Sequence, residues 1–172
     1  MTPLDAARGI TEYLAAQIDN YGEALRVIDE KTGAETLQAV HVYTGFIPRR
    51  TSRKEMQEQC PAIVVRPEAF QDGKKNSRVS IVVYVTVYDE DMTHGSDTLF
   101  HFMEFVRMML LSENPVNDRW LIDIDAGLTG SVPDDQPFPQ WIGLLEFDVY
   151  LPQPKETQSR LLRGEFIEKK KN

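Results

Sequence analysis

The chain of 172 residues has a single cysteine, Cys60, and three histidines, which limits the chemistry open to it. One cysteine excludes an internal disulfide and any zinc site that needs several cysteines. No run of 18 apolar residues occurs, so we expect no membrane span. The first residues lack the basic and apolar regions of a signal peptide, so we expect no secretion leader.

Common catalytic motifs are missing as well. The sequence contains no phosphate-binding loop, no dinucleotide fingerprint, no nucleophile elbow and no metalloprotease helix. We therefore expect a protein that is not an enzyme and that holds neither a cofactor nor a metal. One alternative stays open, a metal-dependent hydrolase, because an alternating strand would place Asp123 and Asp125 on one face, as in the carboxylate pairs of nucleases. The acidic run at 89–91 with His94 lacks calcium-loop spacing and is better explained as a solvated turn.

Positive charge is scarce in the second half of the chain. The net charge is −8, yet residues 1–88 carry 11 basic and 11 acidic side chains. Residues 89–154 carry two basic and 13 acidic side chains, and residues 155–172 carry six basic and three acidic ones. This balance disfavours a general nucleic-acid-binding surface, which needs a basic patch. It predicts either a strongly negative surface that repels nucleic acid or pairs with a basic partner, or acids in solvated turns and helix starts.

Two main helices are predicted. Apolar residues recur at helical spacing after Thr2-Pro3, which predicts a helix over about 3–20. A second helix is expected to begin at a cap on Ser96 or Asp97 and to run to about Ser112. Its apolar surface exceeds the roughly 100° arc of an ordinary surface helix. We therefore expect it to pack on a sheet and on something further, either a partner subunit or a long loop.

Strands are predicted where β-branched and aromatic residues dominate a short run, at 37–47, 62–66, 78–88, 120–124 and 141–151. Pro48 and Pro67 are expected to end the first two. The strand at 78–88 is apolar on both faces, which indicates a sheet covered on both sides or an assembly that covers the second side. Residues 21–36 fit a helix or a strand, and residues 49–59 fit a loop or a short helix.

The order of these elements, without an alternating βαβ repeat, indicates an α+β fold. We expect a single domain over residues 1–154, with a mixed, mostly antiparallel sheet and the two main helices on one face. Residues 155–172 are expected to form a basic C-terminal tail, an extended arm.

Four segments, at 42–48, 60–67, 82–91 with 99–111, and 136–143, occur in a familiar order and spacing. The aliphatic strand ending in Arg66-Pro67, the Tyr88-Asp89 end of the central strand and the Gln-Pro-x-Pro-x-Trp-x-Gly turn at 136–143 carry the similarity. Together they resemble the tail terminator (tail-completion) proteins of long-tailed bacteriophages and prophages. The resemblance covers residues 37–152 and leaves 21–36 and the basic tail unexplained.

The resemblance implies a small structural α+β subunit that forms a homo-hexameric ring on the head-proximal end of the tail tube. Such a ring ends tube polymerisation and offers a surface for joining the head. The implied partners are the tail tube protein, a head-completion or neck protein, and DNA that passes through without specific binding. The implied location is the virion, after assembly in the host bacterial cytoplasm. A head–tail connector (neck) ring of the same machinery is the alternative.

A cyclic ring needs two different interfaces on each subunit, and aromatic anchors dominate interface energetics. The candidate interface residues are Phe100, Met108, Phe138, Trp141 and Tyr150, although core packing is the simpler explanation of Trp141. The candidate acidic lumen or partner surface comprises Asp89, Glu90, Asp91, Asp123, Asp125, Asp134 and Asp135.

Overall fold

The computed structural model describes residues 1–20, 26–28, 35–37, 39–48, 52–73 and 76–152. The helices are α1 (Pro3–Asn20), α2 (Arg53–Gln59) and α3 (Gly95–Ser112). The strands are β1 (Arg26–Ile28), β2 (Glu35–Leu37), β3 (His41–Thr44), β4 (Ala62–Asp72), β5 (Ser77–Tyr88), β6 (Leu128–Ser131) and β7 (Gln140–Leu151). The basic tail expected at 155–172 lies outside the described residues.

Five strands form one mixed sheet in the order β3-β4-β5-β7-β6, and β1 and β2 form a separate antiparallel pair. Only β3 and β4 run parallel, while the other neighbours in the sheet are antiparallel. A mixed, mostly antiparallel sheet with helices confirms the α+β expectation.

Strand β5 is central because it pairs along its whole length with β7 and along most of it with β4. Its odd-numbered residues, from Val79 to Val87, are buried and join the core with side chains of α1 and α3. We call this helix-covered side the inner face. Paired residues on β4 and β7 share the same face as their β5 partners, so Arg66, Tyr84 and Tyr150 lie on the opposite side, the outer face.

The long elements begin and end close to their predicted positions. Helix α1 starts at Pro3, where the Thr2 hydroxyl accepts from the Asp5 N–H at 3.2 Å and the Asp5 carboxylate accepts from the Thr2 N–H at 2.8 Å. This reciprocal cap fixes the helix start. Strands β5 and β7 follow the predicted alternation, and Leu145, Phe147 and Val149 are buried on the inner face. Residues 49–59 contain the short helix α2.

The predicted strand end at Pro67 is wrong, because β4 continues to Asp72. Strand β3 accompanies β4 only as far as Val65, so from Arg66 onwards that edge of β4 has no strand partner among the described residues. The register between β4 and β5 also shifts between Pro67 and Ala69. A proline lacks an N–H to donate, and it is tolerated in a sheet at such an edge or bulge.

The predicted strand at 120–124 is also wrong. Trp120 and Ile122 are buried as expected, but the backbone of this segment pairs with the sheet only at the isolated bridge between Ile122 and Val149. The chain then turns, because the Gly127 N–H donates to the carbonyl oxygens of Asp123 and Ile124 at 3.3 and 3.1 Å. This turn buries Asp123 and exposes Ile124, which is the reverse of strand alternation.

Helix α3 begins earlier than the caps proposed at Ser96 and Asp97, so that prediction is wrong. His94 is its N-cap residue and makes no side-chain capping bond. The Asp91 carboxylate instead accepts from the N–H groups of Thr93 and His94 at 2.7 and 3.1 Å. Strand β3 is likewise shorter than the predicted 37–47, since Leu37 belongs to β2.

Candidate assembly surfaces

The outward side of α3 carries exposed apolar side chains. Phe100 is 55% exposed, Met108 53% and Leu111 38%. Residues eight and eleven positions apart lie on one side of a helix. The ion pair of Glu104 and Arg107 lies between them, with Nη2 to Oε1 at 2.6 Å and Nε to Oε2 at 2.7 Å. We call this surface the α3 stripe.

A groove of about 280 Å³ lies between the α3 stripe and strand β6. Apolar side chains from α3, from β7 and from the residue after β6 form most of its wall, namely Phe100, Met103, Val132 and Leu145. Leu145 extends from the central sheet towards the helix. Strand β6 pairs with β7 on one side and forms the edge of the sheet on the other. The groove therefore joins an apolar surface to an open strand edge.

Phe138 and Trp141 lie together at the end of the sheet where β5 stops and β7 starts. Their rings meet edge to face, with centroids 6.4 Å apart at 89°. The Trp141 indole N–H donates to the Asp89 carbonyl oxygen at 3.1 Å, and the Asp89 N–H donates to the Pro139 carbonyl oxygen at 3.0 Å. Trp141 packs half-buried against the core, whereas Phe138 is 44% exposed.

The side chain of Gln136 stabilises the turn at 136–143, because its amide pairs with the backbone of Ile142 as a neighbouring strand would. Its Oε1 accepts from the Ile142 N–H at 2.6 Å, and its Nε2 donates to the Ile142 carbonyl oxygen at 3.1 Å. Two bonds from one side-chain amide satisfy both backbone groups of one residue. The side chain thereby holds the loop with Phe138 against the beginning of β7.

The seven candidate acids occupy two distant places. Asp89, Glu90 and Asp91 follow β5, and Asp134 and Asp135 lie in the loop that leads into β7 at the same end. Asp123 and Asp125 follow the bridge to Val149, which is nine residues further along β7 than Gln140. At about 3.3 Å per residue the two places are roughly 30 Å apart. The structure does not bring all seven acids to one surface.

Asp123 is buried and forms an ion pair with the half-exposed Arg78 rather than facing solvent. Its side chain is 4% exposed, and its Oδ2 lies 2.8 Å from Arg78 Nη1. Its Oδ1 accepts from the Ala126 N–H at 3.3 Å. Arg78 also donates to the Tyr150 hydroxyl at 3.1 Å and lies over the Tyr150 ring, 4.9 Å from the centroid. Tyr150 therefore packs on the half-exposed Arg78 guanidinium on the outer face.

The structure separates the two acids of the hydrolase alternative, since Asp123 is buried and Asp125 is exposed. Within the described ranges, no group of three or more histidine, cysteine, aspartate or glutamate side chains could hold a metal ion. His94 instead pairs with Asp91, with Nδ1 3.1 Å from Oδ2. The hydrogen bonds from Thr93 and His94 to Asp91 hold the pKa of that carboxyl below its ordinary range. Cys60 is buried beside Thr86 and accepts from the Gln140 amide at 3.3 Å.

Sequence reasoning missed a cluster on the outer face, which we call the Arg66 cluster: Phe46, Arg66, Glu68 and Tyr84. The Arg66 guanidinium carbon lies 4.9 Å from the Phe46 ring centroid and 4.3 Å from that of Tyr84. Arg66 Nε donates to Glu68 Oε1 at 2.6 Å, and the Tyr84 hydroxyl donates to the same carboxylate at 2.8 Å. Phe46 is 74% exposed. An arginine held between aromatic rings is typical of interface anchors.

The hydrogen bond between Tyr84 and Glu68 shifts the pKa values of the two groups in opposite directions. The Tyr84 hydroxyl, followed by Arg66, stabilises the carboxylate and lowers the pKa of Glu68. Burial, followed by the hydrogen bond to Glu68, raises the pKa of Tyr84. The segments at 42–48, 60–67 and 82–91 contain Phe46, Arg66 and Tyr84. Local patterns did not show that these side chains meet, because Phe46 follows β3, Arg66 lies on β4 and Tyr84 lies on β5.

No protein-family model matches the sequence, and no curated protein matches it significantly. Over the residues that the structure describes, no helix is long and apolar enough to cross a membrane.

Proposed function

We propose that this chain is a structural subunit of phage tail assembly, a tail terminator. Six copies form a ring that caps the head-proximal end of the tail tube, ends tube polymerisation and provides the surface for joining the head. The proposal starts from the resemblance of the four sequence segments and is supported by the surfaces of the folded chain.

The observation that carries the proposal is a pair of unlike exposed patches on opposite sides of one sheet. The α3 stripe, with Phe100 and Met108, lies on the helix side. The Arg66 cluster, with Phe46 exposed, lies on the outer face. A twofold dimer uses one self-complementary patch, whereas a head-to-tail ring needs two different patches on each subunit. Two unlike patches therefore favour a ring.

The segments that carry the resemblance are neighbours in space. His41, Ala62, Thr86 and Ile142 form one row across β3, β4, β5 and β7. Each of these residues lies in or directly beside one of the four segments. Residues far apart in sequence therefore act as one structural unit, which supports treating the motifs together.

The acids at one end of the sheet suit a DNA-conducting ring. Glu90 is exposed and lies between Asp89 and Asp91 directly after β5. Carboxylates that line a lumen repel the phosphate backbone and let DNA pass without adhesion. Arg78 compensates the charge of Asp123, so we assign this role to the acids at 89–91 and leave Asp123 out of it.

Two experiments test the proposal. Native mass spectrometry and electron microscopy of the concentrated full chain should show a sixfold ring of about 118 kDa, since one chain weighs 19.7 kDa. Co-expression with the tail tube subunit of the same phage genome should yield tubes of limited length with a ring at one end. Tubes of unrestricted length, with the ring bound to the head-completion protein instead, would assign the chain to the neck.

A further inference from the structure

The groove between α3 and β6 is small and open and can hold side chains of another polypeptide. Its volume of about 280 Å³ is close to the lower end of the roughly 300–1,000 Å³ of small-molecule pockets. Phe100 at its rim is 55% exposed. A well-packed pocket around an aromatic side chain is the usual site of an interface anchor.

Exposed acids lie near both ends of strand β6 beside this groove. The groove wall itself holds the ion pair of Glu104 and Arg107, whose charges compensate each other. Asp125 precedes β6 by three residues, and Asp134 follows Val132 of the groove wall by two. Asp125, Asp134 and Asp135 are exposed and form no ion pair with another described residue. A segment that binds here should be basic and carry a few apolar anchors.

The last residues of this same sequence have that composition. Residues 155–172 hold six basic and three acidic side chains, together with the apolar pairs Leu161-Leu162 and Phe166-Ile167. Charge and apolar content thus match the groove.

The distance between the end of β7 and the groove bears on whether residues 155–172 bind their own subunit or a neighbouring one. Leu145 lines the groove, and Leu151 lies six residues further along β7, roughly 20 Å away. Pro152 follows β7 directly and restricts Leu151 to extended backbone, so the described chain ends at the far end of β7 from the groove. The 20 residues that follow can span up to about 66 Å, which is enough to reach an adjacent subunit.

We propose that residues 155–172 of one subunit lie in the α3–β6 groove of the neighbouring copy. The apolar pairs contact Phe100 and Met103, and the basic side chains lie beside Asp125, Asp134 and Asp135. The inference rests on the proposed ring. In that ring, the C-terminal segment of each subunit binds the groove of the next subunit.

A photo-crosslink tests this contact in the full-length protein. Phe100 is replaced by p-benzoyl-phenylalanine, and the variant is mixed with unmodified protein labelled with nitrogen-15. We expect crosslinks from position 100 to labelled peptides within 156–169, and none from the same probe placed at Met92, which is 77% exposed but outside the α3 stripe.

The other outcomes separate the arm from the ring. Crosslinks between chains that avoid 153–172 would overturn the arm and leave the ring standing. Crosslinks to 156–169 that occur only within the unlabelled chain would place the arm on its own subunit and overturn the contact proposed here. A monomer without crosslinks between chains at any concentration would overturn both proposals.

A pair of matched variants tests the anchors. The double variant Leu161→Asp with Leu162→Asp should weaken oligomerisation about tenfold or more, because it removes two buried apolar side chains. The control, Thr157→Asp with Ser159→Asp, adds the same charge to the same segment and should have a smaller effect. Equal weakening by both variants would show that only charge matters and would contradict the apolar docking.

Discussion

Arg78 Nη1 lies 2.8 Å from Asp123 Oδ2, which ties the segment after Trp120 to the outer face of the sheet. Asp123 is 4% exposed, whereas Arg78 is 40% exposed. The same guanidinium packs on Tyr150 of β7. Arg78 on β5 therefore contacts both Tyr150 on β7 and Asp123 in the turn at 123–127. Asp123, which strand alternation would have placed on the same face as Asp125, stabilises the fold instead.

Replacing Asp123 should destabilise the protein. The variant Asp123→Asn keeps the shape of the side chain but removes the charge that Arg78 faces. We expect a loss of about 1–2 kcal/mol in the free energy of unfolding, less than for a fully buried pair, because water can still solvate Arg78. Urea unfolding followed by circular dichroism measures this change.

The matched control is Asp125→Asn, two residues away and exposed. It should stay within about 0.5 kcal/mol of the unmodified protein. Equal stability of the two variants would contradict the structural role of Asp123. A hydrolytic activity lost in both variants, with stability and assembly unchanged, would favour the hydrolase alternative.

Tyr84→Phe should change the titration of Glu68. The variant removes the hydroxyl that contributes most to the lowered pKa of Glu68, so the pKa should rise towards its ordinary range. A carboxyl whose folded-state pKa is lowered stabilises the fold above its unfolded pKa of about 4.3, and this contribution is lost as the pH falls through the folded value. The stability difference between the two proteins should therefore shrink below about pH 4. Carbon-13 NMR titration of Glu68 reads the pKa directly.

Tyr84→Phe should also change how the stability of the protein depends on pH in the alkaline range. Since the pKa of Tyr84 is raised in the fold, its contribution is fully present below the unfolded value of about 10 and is lost as the pH rises through the folded pKa. Tyr84→Phe should lack this alkaline loss. The control Tyr43→Phe makes the same chemical change on β3 and should leave the titration of Glu68 in place. An unchanged Glu68 in Tyr84→Phe would refute the hydrogen bond.

Gly9→Ala should reverse the usual effect of that substitution in a helix. Alanine is normally favoured over glycine by about 1 kcal/mol in a helix interior. A Cβ at Gly9, however, would lie 2.0 Å from Trp120 Nε1, and Trp120 is buried at 3% exposure. We expect a net destabilisation of about 1–3 kcal/mol from overpacking.

The comparison for Gly9→Ala is Ala16→Gly, on the exposed side of the same helix. That variant isolates helix propensity and should cost about 1 kcal/mol. If thermal unfolding showed that Gly9→Ala stabilises the protein by as much as Ala16→Gly destabilises it, the close contact between α1 and Trp120 would be wrong.

Phe100→Glu should leave the fold intact and prevent assembly. The side chain is more than half exposed, so its replacement costs little in the subunit, but it places a charge at the centre of the proposed interface. Analytical ultracentrifugation should show a folded monomer. Phe70→Glu changes a phenylalanine outside both patches that is even more exposed, at 71%. This control should still assemble, so the same loss in both variants would count against the α3 stripe.

Local patterns were sufficient for the long elements. The start of helix α1 can be predicted from Thr2 and Asp5, which form its N-terminal cap and are only three positions apart. Strands β5 and β7 are readable from their alternation, because each packs one face on the helices. These elements need no information about distant residues.

Features that depend on distant residues were not predictable in this way. Whether Pro67 ends β4 depends on where β3 stops, which is opposite Val65. Whether Asp123 is free depends on Arg78, a residue 45 positions earlier. The Arg66 cluster likewise requires Phe46, from the segment after β3, and Tyr84, from β5, to reach the same side chain. In each case a long-range contact overrides the local pattern.

The mass and symmetry of the assembled protein test the central claim most directly. Native mass spectrometry over a range of concentrations, combined with class averages from electron microscopy, should give a closed ring of six copies that the Phe100→Glu variant cannot form. A chain that stays monomeric at every concentration, alone and beside the tail tube subunit, would contradict the account.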